Sequence, residues 1–340
     1  METVAMISRL HVRLCLFFAI LGMLMFEPTF AASDPIVLDP GAKPERLLEQ
    51  GAGEGPLWHP KLGLLTSGDG HINRRTREGG VSIYRRDAGS NGLLLDRQGR
   101  LVICEFKNRR VTRLEDDGRL TVLAERYEGK RFNQPNDLTI DSQGRIYFSD
   151  PCYGDRSALE IVDPQGRQVE GVYRIDLDGA VTRIITHEVD RPNGLVVTPD
   201  DRRLFVADNN NNTAGGARKL WRFDLRANGT VDAASRKLIH DWGTTRGPDG
   251  IKLDAEGRLF VAAGLNKPNP PHEIQEQPTA GIYVFSPEGQ LLTWIPIPRD
   301  ECTNCAFGGD DLKTLYVTAG GSLWSVAVRV PGQPPRTLSK

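Results

Sequence analysis

Short apolar runs alternate with polar turns along most of the chain, and the alternation returns as one repeated phrase. Its clearest copy is Gly247-Pro248-Asp249-Gly250-Ile251-Lys252-Leu253-Asp254, followed by Gly257-Arg258-Leu259-Phe260-Val261. It predicts a turn, a buried strand, a hairpin and a second strand. Pro192-Asn193-Gly194-Leu195-Val196-Val197 leads likewise into Leu204-Phe205-Val206-Ala207-Asp208. Pro135-Asn136-Asp137-Leu138-Thr139-Ile140 leads into Gly144-Arg145-Ile146-Tyr147-Phe148, and Asn91-Gly92-Leu93-Leu94-Leu95-Asp96 into Gly99-Arg100-Leu101-Val102-Ile103. Glu54-Gly55-Pro56-Leu57-Trp58 and Asn304-Cys305-Ala306-Phe307 are looser copies. An oxygen-bearing side chain precedes each apolar strand: Glu54, Asn91, Asn136, Asn193, Asp249 and Asn304.

These anchors stand 37 to 57 residues apart. Units of about 40–50 residues with four strands each are propeller blades. The second unit shows its strands plainly, at Leu93–Leu95, Leu101–Glu105, Arg110–Leu114 and Leu120–Ala124. Asp96-Arg97-Gln98-Gly99, Asp141-Ser142-Gln143-Gly144 and Asp254-Ala255-Glu256-Gly257 supply hairpin turns. None has the ligand spacing of an EF-hand calcium loop. The last unit shows three strands, near 305–307, 314–318 and 322–328. Residues 45–49 are expected to add the fourth, closing the ring and removing its exposed edges. The expected fold is all-β, a single six-bladed β-propeller of four-stranded blades within residues 32–340.

Strand direction assigns faces. If the first strand of each blade starts at the top, the short Asp/Gly turns lie at the bottom. The long connections 67–80, 150–171, 208–219 and 263–281, with 127–135 and 241–248 between blades, then lie at the top. Long loops on one end of a rigid scaffold carry function, and the six anchors share that end.

Composition adds three points. The 36 glycines and 22 prolines fit a turn-rich chain, and a formal net charge of −1 leaves no footprint for nucleic acid. Residues 1–31 read as a secretory signal peptide, with Arg9 and Arg13, an apolar run over 14–26, and Thr29-Phe30-Ala31 at the cleavage position. That run is short for a bilayer span. The mature protein is therefore expected to be periplasmic or secreted, with no stable membrane span, as a monomer or small homo-oligomer. Beyond the signal lie Cys104, Cys152, Cys302 and Cys305. In an oxidising compartment a Cys302–Cys305 or Cys104–Cys152 bridge is open, while Cys104 within a strand pattern reads as a small buried hydrophobe.

Inner strands of a propeller surround the axis, so their upper ends converge on the central channel. Glu54, Asn136, Asn193 and Asp249 offer oxygen donors only. That set suits a hard divalent cation, Ca2+ first, with Mg2+, Mn2+ or Zn2+ as alternatives. It lacks the imidazole or thiolate of a usual zinc site. A lone Asn or Asp before a strand is ordinarily a turn cap; a set in register across blades, with a carboxylate at Glu54, points to a site. Asn91 and Asn304 read as structural or water-binding. His71, His187, His240 and His272 read as solvated loop residues, and the run 209–212 as a polar turn. The chain has no Gly-x-Ser-x-Gly, so no α/β-hydrolase nucleophile is indicated.

The chain resembles the SMP-30/gluconolactonase/luciferin-regenerating family, in particular its bacterial gluconolactonases, over residues 45–328. The resemblance is carried by Glu54-Gly55-Pro56, Cys104-Glu105 with Asn108-Arg109-Arg110-Val111-Thr112-Arg113, and Gly129-Lys130-Arg131-Phe132-Asn133-Gln134-Pro135-Asn136-Asp137. Further on come Tyr147-Phe148-Ser149-Asp150-Pro151 with Tyr153-Gly154, Arg191-Pro192-Asn193-Gly194 and Gly247-Pro248-Asp249-Gly250. The family implies metal binding at Glu54, Asn193 and Asp249, metal or substrate contact at Asn136, and an acid/base role for Asp249. Two positions depart. Gln134 stands where some members carry a sugar-contacting Arg, and Phe106 where bacterial relatives often have His. Gln134 and, in a top loop, Tyr153 are the expected further substrate contacts. The expected activity is metal-dependent hydrolysis of a small-molecule sugar lactone to its acid. The alternatives are a phosphotriesterase-like hydrolase and a non-enzymatic ligand-binding propeller stabilised by metal.

Overall fold

A computed structural model describes residues 37–336; the expected signal peptide lies outside them. Six antiparallel four-stranded sheets follow one another along the chain. Blade one is Glu54–His59, Gly63–Gly68, His71–Arg75 and Val81–Arg85. Blade two has the four strands expected of it. Blade three is Leu138–Ile140, Ile146–Asp150, Gly171–Ile175 and Val181–Ile185. Blade four is Pro192–Val197, Arg203–Asn209, Arg218–Leu225 and Val231–Asp241. Blade five is Ile251–Leu253, Leu259–Ala263, Gly281–Phe285 and Leu291–Pro296.

Blade six is shared by the two ends of the chain. Cys302–Gly308, Thr314–Ala319 and Ser322–Ala327 receive Glu45–Leu48 as the outer strand. Glu45 pairs with Ser325 and Arg46 with Trp324. The expected closure is borne out, and with it the six-bladed propeller.

Facing sheets bury their apolar residues against each other. Between blades two and three Phe132, Phe148 and Tyr173 are fully buried, with ring centroids 5.0–5.5 Å apart. Each such aromatic contributes about 1.5–3 kcal/mol through burial. The short turns at the bottom repeat one device. Asp96, Asp141 and Asp254 accept the backbone N–H two and four residues on at 2.9–3.0 Å. Their other oxygen takes Nε of Arg100, Arg145 and Arg258 at 2.9, 2.5 and 2.6 Å.

Two expectations are corrected. The stretch 67–80 is not a long loop, because it holds the strand His71–Arg75 behind a tight turn at Asp69-Gly70. That strand has one fully buried apolar residue, Ile72, so periodicity gave no signal. Polar bonds hold it instead, from Asn73 Nδ2 to Gly51 O (2.8 Å) and from Arg74 Nε to Leu62 O (2.7 Å). The four cysteines are buried and unbonded, so neither open bridge is formed. Cys104 packs in the core of blade two beside Val102 and Val111, while Cys152 lies in a top loop with its Sγ 3.8 Å from Asp155 O.

The channel is closed from below. Pro334, Pro335 and Arg336 line an apolar cavity of about 160 Å³ together with Leu57, Leu95, Leu138, Leu195 and Leu253. Arg336 fastens this strap to Asp201 Oδ1 (2.5 Å) and Thr198 O (2.6 Å). The polar chemistry lies at the other end.

Candidate metal centre and active site

The top of the channel is built from backbones in close approach. Gly55, Gly92, Gly194 and Gly250 each follow an anchor directly. A Cβ on Gly194 would lie 2.1 Å from Asp249 O, and one on Gly250 2.0 Å from Asn304 Cγ. Only glycine permits such contact. Hydrogen bonds run the same way, from Gly92 N to Asn136 O (2.7 Å), Gly250 N to Thr303 O (2.8 Å) and Thr303 Oγ1 to Gly53 O (2.7 Å). Neighbouring blades are thus tied where the anchors sit.

Second strands hold two of the anchor turns. Asp150 is fully buried and accepts N–H from Asn133 and Gln134 at 2.8 Å, just ahead of Pro135-Asn136. Asp208 does the same for Asp190 and Arg191, at 3.1 and 2.9 Å, ahead of Pro192-Asn193. The signal for these supports was present: Asp150 is the last and Asp208 the next-to-last residue of the second strand of its blade.

Glu54, Asp137 and Asp249 converge electrostatically. Burial pushes the Glu54 carboxyl up to about 7, with the charge of Asp137 adding to it. Burial raises Asp249 well above the usual carboxylate range, helped by the charge of Glu54. Glu54 Oε2 accepts from Gly55 N (3.0 Å) and from Asn304 Nδ2 (3.1 Å). Asn304 Nδ2 also reaches Asp137 Oδ2 at 3.3 Å. Asn304 therefore serves as a structural clasp, as expected of it.

Asn193 is oriented by Tyr153. Its Nδ2 donates to the phenol oxygen at 2.7 Å, and that hydroxyl donates to Asn209 Oδ1 at 3.1 Å. Asn209 Nδ2 continues to Pro248 O at 2.7 Å, and Asn211 Oδ1 accepts Gly247 N at 2.9 Å. The run 209–212, read as a polar turn, instead ties the Asn193 turn to the Asp249 turn. Gln134 Oε1 accepts Tyr153 N at 2.7 Å and so holds the tyrosine loop. Gln134 also lines a top-face cavity of about 290 Å³ with Phe106, Lys107, Arg109 and Asp155. Asn136 is buried at the same level, fixed through its N–H to Ser149 O at 2.9 Å. Arg246 was not foreseen. Its charge draws the Asp249 carboxyl back down against burial. Glu273 grips it at 2.8 and 3.1 Å, and Glu301 pairs with it too.

Three of the four histidines read as solvated loop residues are engaged elsewhere, while His272 Nδ1 is buried without a hydrogen-bond partner. His71 accepts from Asp87 N, His187 pairs with Asp163, and His240 packs edge-on against Trp242.

Does this arrangement suit a cation? Among the described residues no three His, Cys, Asp or Glu side chains form a metal-ligating group. A cation here would need amide oxygens beside the carboxylates. Asn193 Oδ1 and Asp249 Oδ1 are buried acceptors with no hydrogen-bond partner. Unpartnered buried oxygens are costly unless something positive meets them. Two such oxygens beside Glu54 fit an oxygen-seeking divalent ion. Asn91 Oδ1 is also without a partner, so Asn91, read as structural or water-binding, offers the same bare acceptor as Asn193 and Asp249.

A six-bladed propeller with a buried, acidic, oxygen-only group at the top of its axis defines the class. Residues 52–321 match the SMP-30/Gluconolactonase/LRE-like region, and the chain belongs to that family. It is 30% identical to the gluconolactonase of Zymomonas mobilis, over 82% of this chain and 79% of that protein. The solved gluconolactonase of Xanthomonas campestris is 29% identical, with a TM-score of 0.71 covering 88% of this chain and 94% of that one. The calcium-binding protein regucalcin from Agrobacterium tumefaciens shares the fold, at 18% identity and a TM-score of 0.66, over 87% and 97% of the two chains.

Proposed function

We propose that this protein is a lactone hydrolase that opens the ring ester of an aldonolactone-type sugar to the free acid. Family membership, with lactonases among the relatives, supports the reaction class. The observation that carries the site assignment is the pair of buried, unpartnered oxygens on Asn193 and Asp249 beside Glu54. Glu54, Asn193 and Asp249, with Asn136, are the residues that would hold a divalent cation, calcium first. When bound, that ion supplies polarisation of the lactone carbonyl and charge to meet the developing oxyanion.

Asp249 is the general base. It takes a proton from water as the water oxygen attacks the carbonyl carbon; the ring C–O bond then breaks, and the alkoxide is reprotonated. Without a cation, burial and the neighbouring charge of Glu54 raise its proton affinity; a bound cation would draw it down again, leaving an ionised carboxylate that can accept the proton of water. Tyr153 holds Asn193 in place, and the charge of Arg246 opposes the upward push of burial on Asp249. Gln134, which holds the Tyr153 loop, is the further residue assigned to the sugar.

The apolar leader over 1–31 makes export to the periplasm or beyond part of the same proposal, with residues 32–340 forming the mature propeller domain. A hydrolysis panel spanning sugar lactones and phosphotriesters, with and without chelator, tests the reading. Turnover of lactones that is lost on chelation and regained with calcium is expected. Turnover of phosphotriesters alone would move the protein to the phosphotriesterase class, and turnover of neither would leave a binding propeller.

A further inference from the structure

Lys252 also reaches the axis. Its stem lies along the apolar lower cavity, with Leu195 and Leu253 among the other lining residues. Its Nζ rises to within 3.6 Å of Asp137 Oδ2 and 3.4 Å of Asn304 Oδ1. A long side chain that keeps its stem apolar and its charge polar is ordinary snorkelling, but here it points inward. Asp137 is almost fully buried and occupies, in blade three, the position after the anchor where blades one, two, four and five have glycine. Asn304 Nδ2 bridges Asp137 Oδ2 and Glu54 Oε2. The upper channel therefore gathers three carboxylates, Glu54, Asp137 and Asp249, and one ammonium, while Arg246 near Asp249 is itself paired with Glu273 and Glu301. When all are ionised, the net charge of these four groups is that of two uncompensated carboxylates, which one divalent cation would neutralise. Net charge left in a low-dielectric channel is costly.

We propose that Asp137, the Asn304 Oδ1 and the adjoining Glu54 edge form a second cation site, which this chain fills with its own Lys252 ammonium. The channel is thereby limited to one divalent ion. This rests on the reading of Glu54, Asn193 and Asp249 as the first site.

Calcium stoichiometry, measured by calorimetry and elemental analysis, tests it. Lys252→Met keeps the stem and removes the charge. The native protein is expected to bind one calcium, and K252M two at millimolar calcium. Asp137→Asn leaves Lys252 uncompensated near the first site, so calcium affinity should fall at least about tenfold by charge repulsion. D137N/K252M should return to one calcium with affinity within a few-fold of native. If K252M folds only with calcium and then holds two ions, the ion has replaced the ammonium, as proposed. If it stays at one calcium, or stays unfolded in calcium while the double variant folds, the role of Lys252 is overturned. A native protein that binds no divalent ion overturns the first-site reading instead, and the second with it.

Discussion

The two ends of this propeller use the same residue types in opposite ways. At the bottom, Asp141 is fully buried, and its oxygens take two backbone N–H groups, Arg145 Nε and the Tyr147 hydroxyl. At the top, Asp249 is nearly as buried, yet one of its oxygens has no partner and its carboxyl is raised far above the usual range by burial. A satisfied carboxylate holds a turn; an unsatisfied one stores demand for a charge. The residue's place in the hydrogen-bond inventory, rather than its type or burial, separates scaffold from site.

The sharpest way to break this comparison is to remove a carboxylate's charge at each end. Asp249→Asn should lower kcat by about 10²–10⁴-fold, the usual worth of general-base assistance. Saturating calcium should restore occupancy without restoring turnover. A calcium titration of kcat checks this, and recovery to native turnover would leave Asp249 a ligand only. At the bottom, Asp141→Ala strands a buried Arg145 and should cost about 3–5 kcal/mol of stability. Turnover per folded molecule should be unchanged, as denaturant melts read beside active-site titration will show.

Glu54→Gln removes one of the two site charges. Calcium affinity should fall by at least about tenfold, or about 1.4 kcal/mol, measured by calorimetry. The same carboxyl sets a pH signature. In the metal-free fold Glu54 binds its proton up to about 7, above its ordinary value of 4.5. Its contribution to metal-free stability is therefore largest below that ordinary value and lost as pH rises toward 7. Calcium should reverse this trend, binding more tightly with rising pH and releasing protons. Melting temperatures across pH 4.5–8, with and without calcium, test both signs. The smallest effect is expected at Tyr153→Phe. It deprives Asn193 Nδ2 and Asn209 Oδ1 of a partner and should weaken calcium binding by roughly 1 kcal/mol. Calorimetry on this variant tests whether the ligand set is held from behind.

Much of this was legible in the chain itself. The repeated turn–strand–turn phrase defined the blades, and Arg46-Leu47-Leu48 was recognisable as the closing strand because blade six lacked one. The register of Glu54, Asn193 and Asp249 was visible because each precedes an inner strand. What hid the strand His71–Arg75 was its polarity, since it is held by side-chain bonds rather than by periodic apolar burial. What hid Arg246 and Lys252 was that an isolated cation in a sequence has no partner until the ring closes.

Sequence alone determined whatever depends on neighbours a few residues away. Asp254 with Gly257 and Arg258 is one such unit, because a turn and its carboxylate bond within four residues. Tertiary structure decided what depends on the axis. Asp249, five residues before Asp254, keeps a bare oxygen, and Asp137 meets Lys252 from a distant blade. Asn304 is consumed by Glu54 and Asp137, while Asn193 keeps its carbonyl free. Local bonds are written in spacing. Whether a buried oxygen goes without a partner is fixed only when six blades bring their inner strands around one channel.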